Sequence, residues 1–351
     1  MNSAARSKFM ELALEAAVGA VGVSRPNPAV GAVVVKGGEL VSQGATQAPG
    51  QAHAEVMALK AAGERAKGAN LVVTLEPCCH FGRTPPCTSA ILSAGIRRVF
   101  FACGDPNPVV RGKSRQILEG AGVEVFEGVE ACGSQGTFAE VSRFFEGYRH
   151  FVKTGRPLVE LKVAVTSNFA LAQSGGKPMK ITGAQADVWV HRLRSYSDAI
   201  LVGVRTANSD DPLLNVRLCA GNSPIRVLFG NHTPAREDLR LLKTGPQTLL
   251  FSHSRPSASS GYAFRELPGS SFSENWSFML SELSKLGMHR LMVEPGQSLS
   301  QKILSSGLWD RLDLIVSPKV VEGGLKFPQL SMVPTSRKPL GDDELLVYRN
   351  S

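Results

Sequence analysis

The feature that most restricts how this chain can fold is a set of three metal-ligating side chains, His53, Cys78 and Cys87, each placed where regular structure starts or stops. His53-Ala54-Glu55 opens a stretch of helical pattern over 52–66. Pro77-Cys78 follows a β-branched apolar run, Asn70–Leu75, that reads as a strand broken by Glu76-Pro77. Cys87 stands at the head of a short helical segment, 88–94. If the three share one ion, a helix start, a strand end and a second helix start must come together.

One His and two Cys leave the fourth tetrahedral position open, which is the arrangement of a catalytic rather than a structural zinc. Such an ion lowers the pKa of its water from 15.7 to about 7. Glu55 follows His53 by two residues without being a ligand, so it is suited to take the water's proton and hand it to a departing nitrogen. The helix starts behind the thiols favour their ionised form. A structural zinc would need a fourth ligand from Cys79 or His80, and that reading leaves Glu55 and the Pro77-Cys78 context without a role. H-x-E, then P-C, then a further Cys is the signature of zinc deaminases acting on pyrimidine-type rings. One departure stands out: eight residues separate the cysteines here, Cys79 to Pro86, where two are usual. That insertion lies over the metal, is stiffened by Pro85-Pro86, and offers His80 and Arg83 to an anionic group.

A length of 351 residues suggests two domains, and 43% hydrophobic with 20% charged residues gives each an ordinary core. The net charge of +9 suits anionic partners. Yet the basic residues are scattered, as in Arg97-Arg98, Arg192/Arg194 and Arg236/Arg240, and aromatics are 7%. There is no basic and aromatic stripe of the kind single-strand binders use, so small anionic ligands are expected and nucleic acid is not. Six cysteines, half of them within Cys78–Cys87, read as metal ligands before disulfides. No apolar run approaches the ~18–20 residues of a membrane span. Glu11 and Glu15 interrupt the apolar stretch Phe9–Val18, so no signal peptide is expected and the cytoplasm is the expected location.

Along the chain, helix at 5–19, strand at 29–35 with a hairpin mate at 40–44 across Gly37-Gly38, and strands at 98–102 and 124–127 around a helix at 113–121 predict an α/β sandwich. A helix at 138–151 runs into Thr154-Gly155-Arg156-Pro157, the expected boundary between domains at 1–150 and 156–351. A second α/β pattern follows: strands at 158–165, 199–204, 225–229, 248–251, 290–293 and 311–316, with helices at 185–196, 276–286 and 298–305. The Ser, Gly and Pro residues between Ser252 and Ser273 read as a mobile connection.

P-N-P-x-V-G-A-V-V-V (Pro26–Val35), H-A-E-V (His53–Val56), L-E-P-C-C-H-F-G-R-T-P-P-C (Leu75–Cys87) and D-P-N-P (Asp105–Pro108) together resemble the bifunctional riboflavin-biosynthesis deaminase/reductase family. In the second half, V-x-L-K-V-A (Val159–Ala164), H-R-L-R (His191–Arg194), D-A-I-L-V-G-V-R-T (Asp198–Thr206), D-D-P-L-L-N-V-R (Asp210–Arg217), P-I-R-V (Pro224–Val227) and V-E-P-G (Val293–Gly296) match it too. The resemblance implies a cytidine-deaminase-like three-layer α/β/α domain followed by a dihydrofolate-reductase-like α/β domain. It implies zinc-dependent deamination of a phosphoribosylamino-pyrimidine, reduction of the product's ribosyl group by NADPH, and a homo-oligomer. It makes Asn27, His80, Arg83, Asp105 and Asn107 candidates for holding the first substrate. In the second domain Arg194, Leu214, Arg217 and Glu294 are candidates for the substrate, the two arginines as fixed cations for its phosphate. Ala164, Lys180, Thr206, Asp210, Asn231, Gly296 and Ser298 are candidates for the cofactor, the last two ahead of a helix that suits a pyrophosphate.

The chain departs from the family at Thr46, where a His is usual. Thr166-Ser167-Asn168-Phe169-Ala170 stands for S-L-D-G-K, and Pro178-Met179-Lys180-Ile181-Thr182 for S-x-W-I-T. An alternative expectation follows: a monofunctional deaminase whose second domain only binds ligand or scaffolds. A nucleic-acid base deaminase is a further alternative, opposed by the long cysteine spacing.

Overall fold

The computed structural model of the chain describes residues 1–173, 179–258 and 260–350. The chain divides into two compact units, Met1–Gly155 with Ala220–Asn222, and Arg156–Cys219 with Ser223–Ser351.

The first unit runs α1 (Ser3–Ala20), β1 (Gly31–Lys36), β2 (Glu39–Ala45), α2 (Ala54–Ala62), β3 (Asn70–Leu75), α3 (Cys87–Ser93), β4 (Arg98–Cys103), α4 (Lys113–Gly120), β5 (Glu124–Glu127), α5 (Gly128–Cys132), α6 (Gln135–Phe144) and α7 (Glu146–Thr154). Its sheet has the order β2-β1-β3-β4-β5. The turn at Gly37-Gly38, with φ of 61° and 88°, folds β2 back antiparallel onto β1. β1 is antiparallel to β3 as well, and β3, β4 and β5 run parallel. Helices cover both faces, and two glycines show how closely. Gly31 faces α1, where a Cβ would stand 1.9 Å from the Ala13 carbonyl oxygen. Gly44 pairs with Ala32, one step along, and so faces the opposite side, where a Cβ would stand 2.4 Å from the Ala58 nitrogen of α2. Only glycine lets α2 lie this deep against β2, and α2 is the helix that begins at the zinc motif.

The single helix expected at 138–151 is two. Ser134 caps α6, accepting from the Thr137 amide at 3.1 Å. Buried Phe145, at φ −82° and ψ 1°, closes that helix and turns the chain into α7.

The second unit comprises β6 (Leu158–Thr166), β7 (Ala170–Ala172), α8 (Ala184–Ser195), β8 (Ala199–Gly203), α9 (Val204–Asp210), β9 (Ile225–Phe229), β10 (Thr248–Ser252), β11 (Tyr262–Glu266), α10 (Phe272–Lys285), β12 (Arg290–Val293), α11 (Gln297–Ser306), β13 (Arg311–Ser317), β14 (Leu325–Lys326), β15 (Ser336–Leu340) and β16 (Asp343–Arg349). Its main sheet has the order β11-β10-β9-β8-β12-β6-β13-β16-β15, parallel from β11 to β13 and antiparallel beyond. Central strand β8 is apolar on both sides because both sides are covered. In β8, Leu201 packs with Trp276, Met279 and Ile303 of α10 and α11, while its neighbours Ile200 and Val202 pack with Ala186, Val190 and Leu193 of α8. The stretch 252–273, expected to be only a mobile connection, contributes the edge strand β11. β7 and β14 pair as a separate small ribbon. Among the described residues no helix is long and apolar enough to cross a membrane.

Candidate active sites

In the first unit the three expected ligands meet. His53 is the N-cap of α2 in an extended conformation, and its side chain makes no cap bond, which leaves the ring free to project. Its Nδ1 lies 3.4 Å from the Sγ of Cys78 and 3.4 Å from the Sγ of Cys87. The three donor atoms lie within 4.8 Å of one another. Cys78 follows the end of β3, and Cys87 is the first residue of α3, whose amide donates to the Cys78 sulfur at 3.3 Å. Hydrogen bonding from the Cys87 thiol and from His53, with that amide, holds Cys78 well below the usual thiol range, against the cost of burial. The Cys78 thiolate in turn raises the pKa of His53. One imidazole nitrogen and two sulfurs suit zinc and leave a coordination position open. Cys79 takes no part, its sulfur facing the Val109 carbonyl at 3.9 Å.

Glu55, in the first turn of α2, is 4% exposed. Burial, followed by the negative charge of Cys78, pushes its carboxyl up to about 7. A group of that strength gains and loses a proton with equal ease at neutral pH. Glu55, His53 and Cys78 line a cavity of about 350 Å³ together with Asn27, Thr46, His80, Arg83, Asp105 and Asn107. The Nδ1 of His80 is buried there with no hydrogen-bond partner among the described residues. Thr46, in the place of the family's His, is 4% exposed and accepts from the Val30 amide at 3.2 Å.

Two residues of this site carried no functional expectation. Glu76, 4% exposed, accepts from Ser114 Oγ at 2.6 Å and from the amides of Asp105 and Gly112 at 3.2 Å each. It thereby ties the end of β3 to the loop that carries Asp105 and Asn107. Tyr148 of α7 donates to Asp105 Oδ1 at 3.2 Å. Burial raises the pKa of Asp105, while the Asn107 amide and Tyr148 oppose the rise. Glu76 sits inside a motif already accounted for by Cys78, which hid its separate task.

The second unit holds a cavity of about 1040 Å³ at the C-terminal ends of β8, β9 and β12. Ala164, Thr206, Asp210, Asn231, Glu294, Gly296 and Ser298 all line it. Gly296 approaches Thr206 so closely that a Cβ would stand 2.9 Å from its Oγ1, and at Gly230 a Cβ would stand 2.6 Å from Val204. Gly296 is also the N-cap of α11, without a side-chain cap bond, so the first amides of that helix face the cavity undisturbed. Arg205 donates to Ser298 Oγ at 3.1 Å. A cavity of this size with an open helix start, glycines at its closest approaches and cationic lining residues fits a dinucleotide cofactor.

Lys162 of β6 carried no functional expectation, yet it lines the same cavity with its Nζ 3.3 Å from Glu294 Oε2. Arg194 reaches the other oxygen, Nη2 to Oε1 at 2.7 Å. Burial works against the charge of Glu294, but Lys162 and Arg194 outweigh it and hold the carboxyl at about 2. Lys162 stood in plain view in V-x-L-K-V-A, and only its pairing with Glu294 marks it.

Three expectations meet a different placement. Lys180 is ion-paired with Asp187 and lines, beside Met179 and Thr182, a smaller recess that shares Ala164 and Ile181 with the large cavity. Leu214 is 2% exposed, with its side chain in the core. Arg194 is spent on Glu294 and the Asn215 carbonyl, whereas Arg217 is exposed. Of the family departures, Pro178 lies outside the described residues. Asn168 donates to the Val321 carbonyl at 3.0 Å and accepts from its amide at 3.3 Å, an exchange that an ionised Asp cannot make. Phe169 has φ 60°, the left-handed conformation that the family's Gly adopts freely. Ala170 is fully buried, and across the ribbon from it Lys326 donates to the Asn168 carbonyl at 2.7 Å.

Residues 3–103 match the cytidine and deoxycytidylate deaminase zinc-binding region, and residues 157–335 match the RibD C-terminal domain. The riboflavin biosynthesis protein RibD of Aquifex aeolicus is 38% identical over 331 residues, which is 92% of this chain and 90% of that protein. RibD of Escherichia coli is 33% identical over 89% of this chain and 88% of that protein. Among solved structures, a diaminohydroxyphosphoribosylaminopyrimidine deaminase/5-amino-6-(5-phosphoribosylamino)uracil reductase from Thermotoga maritima has a TM-score of 0.79 at 30% identity, covering 99% of each chain. RibD of Acinetobacter baumannii has a TM-score of 0.74 at 32% identity, again covering 99% of each.

Proposed function

This chain belongs to the RibD family of bifunctional riboflavin-biosynthesis enzymes, joining a zinc deaminase to an NADPH-dependent reductase, and from that premise we propose which of its residues carry each reaction. The alternative of a second domain that only scaffolds is not favoured, since relatives that match along nine-tenths of this chain share both halves.

For deamination, His53, Cys78 and Cys87 are assigned as the zinc ligands, and the ion supplies a Lewis acid that makes water nucleophilic at neutral pH. Glu55 accepts the proton of that water on its carboxylate and delivers it to the departing amino nitrogen, which leaves as ammonia. Its burial and its position near neutrality support both halves of that task. Asn27, Asp105 and Asn107 are assigned to the pyrimidine, whereas His80 and Arg83 are assigned to the phosphoribosyl end. The free Nδ1 of His80 inside the cavity supports the latter.

For reduction, NADPH supplies the hydride when bound. Thr206, Asp210, Asn231, Gly296 and Ser298 are assigned to hold it. A hydride delivered to the anomeric carbon would break that carbon's bond to the ring oxygen, the electron pair leaving on the oxygen, and Lys162, held by Glu294, is our candidate to give that oxygen its proton. Arg217 is assigned to the substrate phosphate, with Arg194 fixing Glu294 behind it.

The observation that carries the reading is the meeting of His53, Cys78 and Cys87 at one point, with His53, Cys78 and buried Glu55 lining one cavity. The reading also expects a cytoplasmic homo-oligomer that acts on a small phosphorylated pyrimidine and on neither nucleic acid nor a membrane. The purified chain, fed the diaminopyrimidine with and without NADPH, should give the deaminated product in both cases and the ribityl product only with NADPH, as identified by mass. A chain that leaves the diaminopyrimidine unchanged while loaded with zinc would overturn it.

A further inference from the structure

We infer that His191 and Arg226 are positioning residues that pre-shape segment 211–217 of the reductase so that Arg217 meets the substrate phosphate, an inference that rests on the assignment of Arg217 made above. The segment lies between α9 and β9 and has neither helix nor strand of its own. Two of its non-glycine residues, Asp211 and Leu214, hold left-handed backbone at φ 44° and 50°. Backbone of that kind persists only where the surroundings dictate it.

Here the surroundings are side chains. Arg226 of β9, 1% exposed, donates from Nε to the Leu213 carbonyl at 3.1 Å. Its Nη1 donates to the Leu241 carbonyl at 2.8 Å and to the Thr244 carbonyl. Arg194 donates to the Asn215 carbonyl at 3.1 Å, and the Val216 amide donates to Ser223 Oγ at 3.0 Å. The last bond of the series is the one nearest the phosphate ligand: the Arg217 amide donates to Nδ1 of His191 at 3.0 Å.

Each of these bonds is ill suited to simple surface packing. Arg226 is a buried guanidinium whose bonds among the described residues go to carbonyls and to no carboxylate, an expensive arrangement unless those carbonyls need fixing. Gly245, at φ 78°, makes room for it, since a Cβ there would stand 2.7 Å from Nη2. His191 is 3% exposed and must be unprotonated at Nδ1, because the atom that faces it is an amide N–H. Burial, with Arg194 and Arg217 close by, pulls this imidazole down to about 4, so the acceptor is present throughout the neutral range. Among the described residues the Arg217 side chain then has only Asn215 Oδ1, at 2.9 Å, to hold it, and it remains exposed at the end of a fixed backbone.

The test uses the full chain, supplied with NADPH and with the deaminated ribosyl substrate, either phosphorylated or dephosphorylated. Asn presents an oxygen close to where His191 presents Nδ1, and Leu presents none. His191→Leu should raise KM for the phosphorylated substrate about tenfold, the size of one lost hydrogen bond, with kcat changed less than about twofold. His191→Asn should restore most of that loss, and KM for the dephosphorylated substrate should be the same in all three proteins. An unchanged KM in His191→Leu, or equal losses on both substrates, overturns the positioning role. Failure of His191→Asn to recover binding overturns it as well. Should His191→Leu be recovered unfolded, Arg226→Lys carries the same comparison, with the same expected split and the same overturning results. Arg217→Ala separates the two layers of the argument. If it leaves KM for the phosphorylated substrate unchanged, the assignment of Arg217 fails. If it raises KM while His191→Leu does not, only the positioning role fails.

Discussion

At the scale of single residues, the deaminase half depends on groups whose surroundings change their chemistry. Cys87 is fully buried at the head of α3 and supplies one of three donors, so Cys87→Ala should lose most of the zinc. Metal analysis of the purified variant checks this, against roughly one ion per chain in the parent. Glu55→Gln keeps size and position but cannot carry a proton. Zinc should stay bound while deamination falls by about 10²–10⁴-fold, and loss of zinc instead would make Glu55 a structural residue. In the reductase half, Glu294 is held at about 2 by Lys162 and Arg194 against its burial, below an ordinary value of 4.5. A carboxyl lowered by folding stabilises the native state above its unfolded pKa, and that contribution is lost as pH falls from about 4.5 through about 2. Denaturant titrations across that window should show a steeper loss of stability in the parent than in Glu294→Gln. Phe169 stands in left-handed backbone at φ 60° and is 42% exposed. Phe169→Gly should therefore stabilise the chain by about 1 kcal/mol, read as a higher denaturant midpoint.

Elements decide whether such residues meet, and here one glycine has more weight than any helix propensity. The Cβ of any other residue at 44 would collide with the Ala58 nitrogen and the Ala54 carbonyl of α2. Gly44→Val should lift α2 from β2, move His53 and Glu55 together, and lower zinc content and deamination in parallel while NADPH binding is unchanged. Much of this layout was legible in the sequence, for physical reasons. β1 and β3 are β-branched runs bounded by Gly or Pro, and the zinc ligands sit just past β3 and at the starts of α2 and α3, so period and punctuation agree. The break at Phe145 was not legible, because an apolar residue on an amphipathic stripe carries no sign of a turn until its neighbours are packed. β11 was hidden by the Ser, Gly and Pro residues around Tyr262–Glu266, since an edge strand needs only one partner and a short run. The site residues found by sequence, Glu55 and the three ligands, are those whose chemistry is unusual at its spacing. Glu76, Tyr148 and Lys162 are ordinary in type and become functional candidates only through what they touch.

On the scale of the whole molecule, each reaction is assigned residues from one unit alone. His53, Cys78, Cys87 and Glu55 all lie within Met1–Gly155, and the residues lining the larger cavity run from Lys162 to Leu325. The core of the second unit is likewise its own: Val159, Leu201, Trp276 and Leu312 pack on one face of the sheet, and Val190, Ile200 and Leu214 on the other. No ligand of the zinc contributes to either layer. Removing the metal should therefore act on one reaction only. A chain stripped of zinc by a chelator should lose deamination of the diaminopyrimidine yet still oxidise NADPH when given the deaminated substrate directly, with KM within about twofold of the zinc-loaded chain, well inside the tenfold that one hydrogen bond controls. Glu55→Gln should behave in the same way without any change in metal content, which separates loss of the ion from loss of the proton carrier. If NADPH oxidation falls along with deamination in the stripped chain but not in Glu55→Gln, zinc supports the fold beyond its own unit. If it falls in both, the reductase requires substrate delivered by the first reaction, and the two sites work as one.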